Sequence, residues 1–271
     1  MERETGLLPV MTYNIRIDIG INAGNAWDRR AARIASVIRR FKPAIVGTQE
    51  GNERMLADLL RLLPEYSLCG QGRMGGNADE YCAILYRHER FEAVEDGQFW
   101  LSETPDEPGS SSWESSYPRI CTWVRLQSDG NPDKQLVVYN THLDHISQEA
   151  REQGALLIAE KLRRYIGDLG LPFVLMGDFN ATPSNPVIRF LRGAGRISDT
   201  SMPLIVKDAF ESVGKEAGLT FHNFEGGEAG EPIDYIFTSD SMQSQDAVVF
   251  REKVDGQFPS DHYPATAWLN W

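Results

Sequence analysis

Residues 172–183 read PFVLMGDFNATP. Pro172 to Met176 is an apolar run bounded by a proline, the pattern of a short strand buried on both faces. Asp178 and Asn180 follow almost at once. Four other places repeat this order of apolar strand and polar end. They are Tyr13-Asn14, Thr48-Gln49-Glu50, Asn140-Thr141-His142 and Ser260-Asp261-His262. A sixth place puts Asp234 at the opening of the apolar run DYIF. Any one of these residues alone reads as a turn or cap. Together they predict a shared crevice, because packed sheets bring strand ends together and buried unpaired carboxylates are costly.

Outward from this stretch, strands and helices alternate. Pro9–Arg16 reads as a strand and Trp27–Phe41 as a helix, with Ala31, Ile34, Ile38 and Phe41 on one face and Asp28 at its start. Pro43 stops that helix, 44–49 is a short buried strand, and Asn52–Leu63 is a second helix ending before Pro64. Five strand-like runs then follow with little helix between them: 66–72, 81–87, 91–100, 120–126 and 135–141. Such a run predicts antiparallel pairing. Ser147–Ile166 is a long helix capped by Ser147, with Ala150, Leu157, Ile158, Leu162 and Tyr165 near one face. A short helix (186–192) and terminal strands (233–238, 247–253, 265–269) complete the chain. Mixed content in both halves, with no linker composition, predicts one α/β domain over residues 1–271 with two packed sheets covered by helices. Residues 102–118, SETPDEPGSSSWESSYP, form a long loop of the kind that is usually functional.

The polar inventory favours one chemistry. Glu50 and Asp261, helped by Asn14, offer oxygen ligands to a hard divalent cation, Mg²⁺ or Mn²⁺ rather than Zn²⁺. His142 and His262 supply acid, base or oxyanion stabilisation. Asp178 and Asn180, two apart, can both reach a water and a phosphate oxygen. With no nucleophilic Ser or Cys motif, the set points to hydrolysis by an activated water.

The pieces MTYNIR, TQE, NTH, GDFNATP, IDYIF and PSDH, in this order, resemble the endonuclease/exonuclease/phosphatase superfamily, the deoxyribonuclease-I-like fold. The resemblance spans nearly the whole chain. It implies a four-layer α/β/β/α sandwich with two mixed sheets and an active site at one edge. It also implies a metal at Asn14, Glu50 and Asp261, and a His262–Asp234 pair acting at the water or phosphate. Asp178 and Asn180 would position water and bind the phosphoryl oxygen, while His142 donates to phosphate or leaving group. Glu80, opening EYCAILYR, would orient His142. Trp27 with Arg30 resembles the W-x-x-R helix entry of deadenylase-like relatives, and FWLSETP with PRICTW resembles a bacterial subgroup of unknown substrate. The residues alone leave open whether Asp178 or His262 is the base, and whether one metal or two are used.

Four further residues are candidate substrate contacts: Arg119 as a phosphate clamp, Trp113 in the long loop, His145 three after His142, and His222 in TFHNF. Arg29, Arg30, Arg33, Arg39 and Arg40 read as a solvated helix face. Asp144 reads as a residue leading into the helix, and Trp100 and Trp123 read as core. Asp and Glu outnumber Lys and Arg by 39 to 27, a net charge of -12. That balance disfavours a grip on long duplex nucleic acid. The reading is a metal-dependent phosphodiesterase acting on a small or single-stranded phosphoester. The alternatives are a sugar- or inositol-phosphate monoesterase, and a silent binding scaffold. Cys69, Cys82 and Cys121 make no disulfide framework. With no apolar span and no secretory leader pattern, a cytoplasmic protein without membrane insertion is expected. The sequence specifies no oligomeric state.

Overall fold

The computed structural model describes residues 6–20 and 24–271. The first half of the chain runs β1 (Leu7–Asn14), α1 (Trp27–Phe41), β2 (Ile45–Gln49), α2 (Glu53–Leu62), β3 (Tyr66–Cys69), β4 (Ile84–Arg87), β5 (Phe91–Trp100), β6 (Ile120–Ser128) and β7 (Asn131–His142). The second half runs α3 (Gln148–Leu169), β8 (Phe173–Asp178), α4 (Pro186–Leu191), β9 (Arg196–Ile197), β10 (Thr200–Ser201), β11 (Val206–Asp208), β12 (Asp234–Ser239), β13 (Gln243–Val249) and β14 (Ala265–Asn270).

Two six-stranded sheets form, ordered β13-β14-β1-β2-β4-β3 and β11-β12-β8-β7-β6-β5, with β9 and β10 as a small separate hairpin. Each large sheet has one parallel pair, β1 with β2 and β7 with β8. Parallel neighbours need a crossover, and here α1 and α3 provide it. Three apolar layers result. Val10, Ile45, Val138, Met176 and Ala267 pack between the sheets. Trp27, Ile34, Ile38, Met55 and Leu59 pack α1 and α2 on the outside of the first sheet. Ala155, Ile158, Leu162, Val187 and Phe190 pack α3 and α4 on the outside of the second. This is the expected α/β/β/α sandwich.

Elements differ from the sequence pattern where tertiary pairing intervenes. The five consecutive strands do not all pair in series. β3 pairs with β4, and β5, β6 and β7 form a meander, but the chain changes sheet between Arg87 and Phe91. The strand expected at 247–253 lies at Gln243–Val249, because β13 takes its register from β14. Tyr81 joins only isolated bridges to Gly51 and Gly72. Asn52 caps α2 by accepting from Met55 N, and Ser147 accepts from Ala150 N at the start of α3. α1 has no side-chain cap, so Asp28 sits in its first turn instead. The side chain of Tyr165 lies outside the described residues. The three cysteines are free and buried.

Two polar residues lock the sheets together behind the strand ends. Asn140 Nδ2 donates across the interface to Thr48 O and Ala83 O, both at 2.9 Å, and Gln49 Nε2 donates to Asn140 Oδ1 at 2.7 Å. Gly47 makes room for this clamp, since a Cβ there would lie 2.8 Å from the Asn140 side chain.

Candidate active site

Register brings the polar strand ends together. Asn14 pairs with Gln49, just before Glu50, at the C-terminal ends of the parallel pair in the first sheet. His142 pairs with Asp178 at the same ends in the second. Asp234, entering β12 antiparallel to β8, pairs with Asp178 from the other side. Ser260 Oγ donates to Asn14 O at 2.7 Å and so draws Asp261 and His262 to the same edge. Gly177 permits the close approach of β7 and β8, with φ at 153° and no space for a Cβ, which would sit 2.0 Å from Thr141 O.

Backbone turns aim the side chains. Arg16, Glu50 and Asn180 follow three strand ends and have φ of 54°, 65° and 47°. Left-handed backbone costs a non-glycine residue about 1–2 kcal/mol, and here it redirects the chain at the end of each strand. Arg30 supports the first of these turns. Its guanidinium donates to Ile15 O at 2.6 Å, Arg16 O at 2.7 Å and Pro259 O at 3.3 Å. The W-x-x-R pattern thus serves as a buried strut, and Arg30 is not on the solvated face expected for it.

At the centre, Asp178 Oδ2 accepts from Asn14 Nδ2 at 3.1 Å and faces His142 Nε2 at 3.5 Å and His262 Nε2 at 3.6 Å. Asp178 Oδ1 accepts from Asn180 N at 2.9 Å. Burial and the neighbouring Asp234 push the Asp178 carboxyl up to about 7, against the opposing pull of His262. His262 Nδ1 lies 2.9 Å from Asp234 Oδ2. Burial disfavours its imidazolium, but Asp234, Asp178 and Asp261 outweigh that and raise it to about 10. His142 is pushed well below its ordinary value by burial and by Arg119 and His262, so it is neutral. Asn180 Nδ2 donates to Leu143 O at 3.0 Å, which fixes the amide and leaves its second N–H free for a ligand.

Beside this group, Glu50 accepts from Asn14 Nδ2 at 2.9 Å and Ile17 N at 3.0 Å. These bonds and Arg16 overcome burial and hold its carboxyl below the usual range. Asp261 is raised by burial and by Glu50. Arg16, half exposed, reaches Glu50 at 3.5 Å and Asp261 at 3.4 Å. Two buried carboxylates are a hard oxygen donor pair and fit a divalent cation of the magnesium type, while Asn14 turns its Nδ2 toward Glu50 and its Oδ1 toward Arg16 N. Asp178, Asp234 and His262 also offer ligand atoms within 4.8 Å of one another. In that trio His262 Nδ1 is already engaged by Asp234 Oδ2 at 2.9 Å.

The cleft over these groups has a volume of about 460 Å³. Glu50, Glu80, Arg119, His142, His145, Asp178, Asn180 and His262 line it, whereas Asn14, Asp234 and Asp261 are not among its lining residues. Glu80 does not engage His142 among the described residues. It pairs with Arg73 at 3.2 Å, because the turn before it brings that guanidinium closer. Trp113 is not among the lining residues. Its carbonyl accepts from Ser147 Oγ, and Tyr117, four residues on, reaches the cleft instead. His222 also lies off the cleft, stacked on Tyr263 at 3.8 Å with Gly226 N donating to its Nδ1. Arg119 lies against Asp144 and, at 2.9 Å, His145 Nδ1.

Arg16, Arg73, Tyr117 and Phe221 line the cleft and were not singled out from the sequence. Arg16 lies inside MTYNIR, Tyr117 in the 102–118 loop and Phe221 in TFHNF, whereas Arg73 lies in none of the quoted stretches. Trp100 is core, whereas Trp123 is partly exposed.

The fold and site together define a hydrolytic phosphoesterase. Residues 11–262 match the model of the endonuclease/exonuclease/phosphatase family, and the chain belongs to that family of phosphoester hydrolases. An endonuclease/exonuclease/phosphatase of Bacteroides vulgatus superposes with a TM-score of 0.89 at 32% identity, covering 97% of this chain and 98% of that one. A mannosyl-6-phosphatase of Bacteroides thetaiotaomicron gives 0.88 at 32%, covering 97% and 100%. A probable RNA exonuclease of Schizosaccharomyces pombe is 23% identical over 193 residues, 65% of this chain and 37% of that protein. The chain spans about a third of the length of the curated relatives it matches. No helix among the described residues is long and apolar enough to cross a membrane.

Proposed function

We propose that the protein hydrolyses a small phosphomonoester of a sugar, with Mg²⁺ or Mn²⁺ held by Glu50 and Asp261 and with Asn14 bracing Glu50 beside it. The observation that carries this reading is the cleft itself. At about 460 Å³ it falls within the roughly 300–1,000 Å³ of small-molecule sites. The 102–118 loop contributes Tyr117 to its wall, and Asp144 pins that loop through Ser115 Oγ and Ser116 N. The likeness to a mannosyl-6-phosphatase over the full chain supports the same substrate class. The diesterase expectation is retained as a second reading, because a probable RNA exonuclease is among the relatives and Phe221 and Tyr117 are exposed at the rim, where a base can stack.

In the proposed mechanism the phosphoryl group sits against His142, the free N–H of Asn180 and His262. Asp178, with its carboxyl raised toward neutrality by burial, is matched to take a proton from an attacking water. His262, held as imidazolium by Asp234, cannot serve as that base at neutral pH. It donates instead to a non-bridging oxygen as charge builds there. Neutral His142 is placed to donate to the phosphate or to the departing oxygen. The bound cation would supply further charge neutralisation at the phosphoryl oxygens.

A panel with purified protein and Mg²⁺ or Mn²⁺ tests this reading. It should contain hexose and inositol phosphates, p-nitrophenyl phosphate, bis-p-nitrophenyl phosphate, and short oligoribonucleotides and oligodeoxynucleotides. The expected result is a kcat/KM for at least one hexose phosphate tenfold or more above any diester. The reverse order selects the diesterase reading, and no turnover across the panel rejects both, leaving a silent binding scaffold.

A further inference from the structure

Next to His142 the cleft adjoins a small recess of about 10 Å³, room for no more than a water, bounded by Arg73, Glu80, Tyr81, Cys82, Arg119 and His142. Arg73, Glu80, Arg119 and His142 line both spaces. The two guanidiniums flank one ring. Arg73 lies 4.6 Å and Arg119 5.9 Å from the centre of Tyr117, whose side is 49% exposed at the mouth. His145 stacks with Tyr117 at 6.1 Å and 16°.

Charge decides what this corner can hold. Arg73 is paired with Asp79 at 2.9 Å and Glu80 at 3.2 Å, and Arg119 lies 3.5 Å from Asp144. Burial and Arg119 keep His145 below its ordinary value, so it adds no charge at neutral pH. Two cations therefore face three carboxylates, and a second phosphate would find no surplus of positive charge. What the corner does present is mixed. Arg73 and Arg119 have rigid forks of N–H donors, Glu80 has an acceptor carboxylate, and Tyr117 has an apolar ring. Vicinal hydroxyls both donate and accept, and the C–H face of a sugar ring packs on an aromatic.

We propose that Arg73, Glu80, Arg119 and Tyr117 form a hydroxyl-reading subsite for a neutral polyol leaving group. Substrate choice is then made there, while the phosphoryl group is handled at Asp178 and His262. The proposal deepens the sugar-monoester reading and rests on it for the identity of the leaving group. Arg73 fixes Glu80 and faces Tyr117, so it couples all three kinds of contact. A nucleotide leaving group, which brings further phosphates, is disfavoured by the same charge count.

The test uses the full chain with Mg²⁺ and the variants Arg73→Met and Tyr117→Ala. The ratio of kcat/KM for a hexose phosphate to that for p-nitrophenyl phosphate, which has no hydroxyls, is expected to fall tenfold or more in each. An unchanged ratio overturns the subsite. Tyr117 is half exposed, so its variant keeps the test valid if Arg73→Met does not fold. A second arm separates this proposal from the sugar-monoester reading. A neutral methyl hexoside is expected to inhibit bis-p-nitrophenyl phosphate turnover by the parent protein, and tenfold less in Tyr117→Ala. That inhibition supports the subsite even if no hexose phosphate is hydrolysed. No inhibition by any hexoside in a panel of epimers at 100 mM overturns it. Stronger inhibition by a bisphosphate than by inorganic phosphate, lost in Arg73→Met, also overturns it and makes the corner an anion site.

Discussion

A single atom organises the proposed chemistry. Asp178 Oδ2 accepts from Asn14 and lies within 3.6 Å of both His142 and His262. Removing the carboxylate charge takes one of the three carboxylates that favour the His262 imidazolium and takes away the base. Asp178→Asn and His262→Ala are each expected to lower kcat by about 10³-fold or more, as loss of a positioned acid or base typically does. Thermal midpoints should stay within a few degrees of the parent, and turnover within tenfold of the parent in either variant would refute these roles. These residues were legible because each directly follows or ends an apolar strand, and strand ends in packed sheets converge. Arg73 and Tyr117 were not, because they lie in turn-rich stretches whose path depends on packing against Asp144, Glu80 and each other. Glu80 was assigned the wrong neighbour for the same reason, as its pairing with Arg73 depends on loop geometry.

Among the elements, the 102–118 loop depends most on one anchor. The Asp144 carboxylate accepts from Ser115 Oγ, Ser116 N, Ile146 N and Ser147 N, and lies against Arg119. The sequence suggested only a lead-in to α3. The structure makes Asp144 that lead-in and a tether for the loop, two roles met by its two oxygens. Burial opposes the charged form, but the bonds from Ser116, Ser147 and Ile146, with Arg119, hold the carboxyl well below its usual range. A group with a depressed folded pKa stabilises the fold above its unfolded value, about 3.9. That contribution is lost as pH falls through the folded value. The tether is therefore expected to be intact at pH 5 and to release only in strong acid. Asp144→Asn keeps the shape but loses the charge, and should cost about 1–3 kcal/mol at neutral pH. In urea unfolding, the gap between parent and variant should narrow only below pH 4. Limited proteolysis should cut the variant faster between residues 102 and 118. Equal cleavage of parent and variant would show that the loop is held by other contacts.

For the whole molecule, the negative charge is unevenly placed. Of the 39 acidic residues, Glu50, Asp178, Asp234 and Asp261 are buried at one edge, drawn there from both sheets. The sandwich itself was legible from alternating apolar runs, whereas the change of sheet after Arg87 was not, since strand order is a long-range property that no local pattern encodes. The apolar interface and the Gln49–Asn140 clamp hold the two sheets together while like charges at this edge repel. Among the described residues, Arg16 and the His262 imidazolium are the cations paired with these carboxylates. A divalent cation that binds only the folded chain adds stability through mass action, about 2.7 kcal/mol at a hundred times its Kd. For a chain of this size that corresponds to a rise in Tm of about 5–10 °C. Mg²⁺ or Mn²⁺ is therefore expected to raise the Tm by that amount over EDTA-treated protein, with activity lost in EDTA and restored by either metal. Glu50→Gln removes a ligand charge, but also the carboxylate that Asn14, Ile17 and Arg16 favour in the fold. It should lower the Tm of the metal-free protein slightly while reducing the metal-induced rise to about 1 °C. If the parent shows no metal-induced rise, or if Glu50→Gln retains the full rise, the cation does not sit at Glu50 and Asp261.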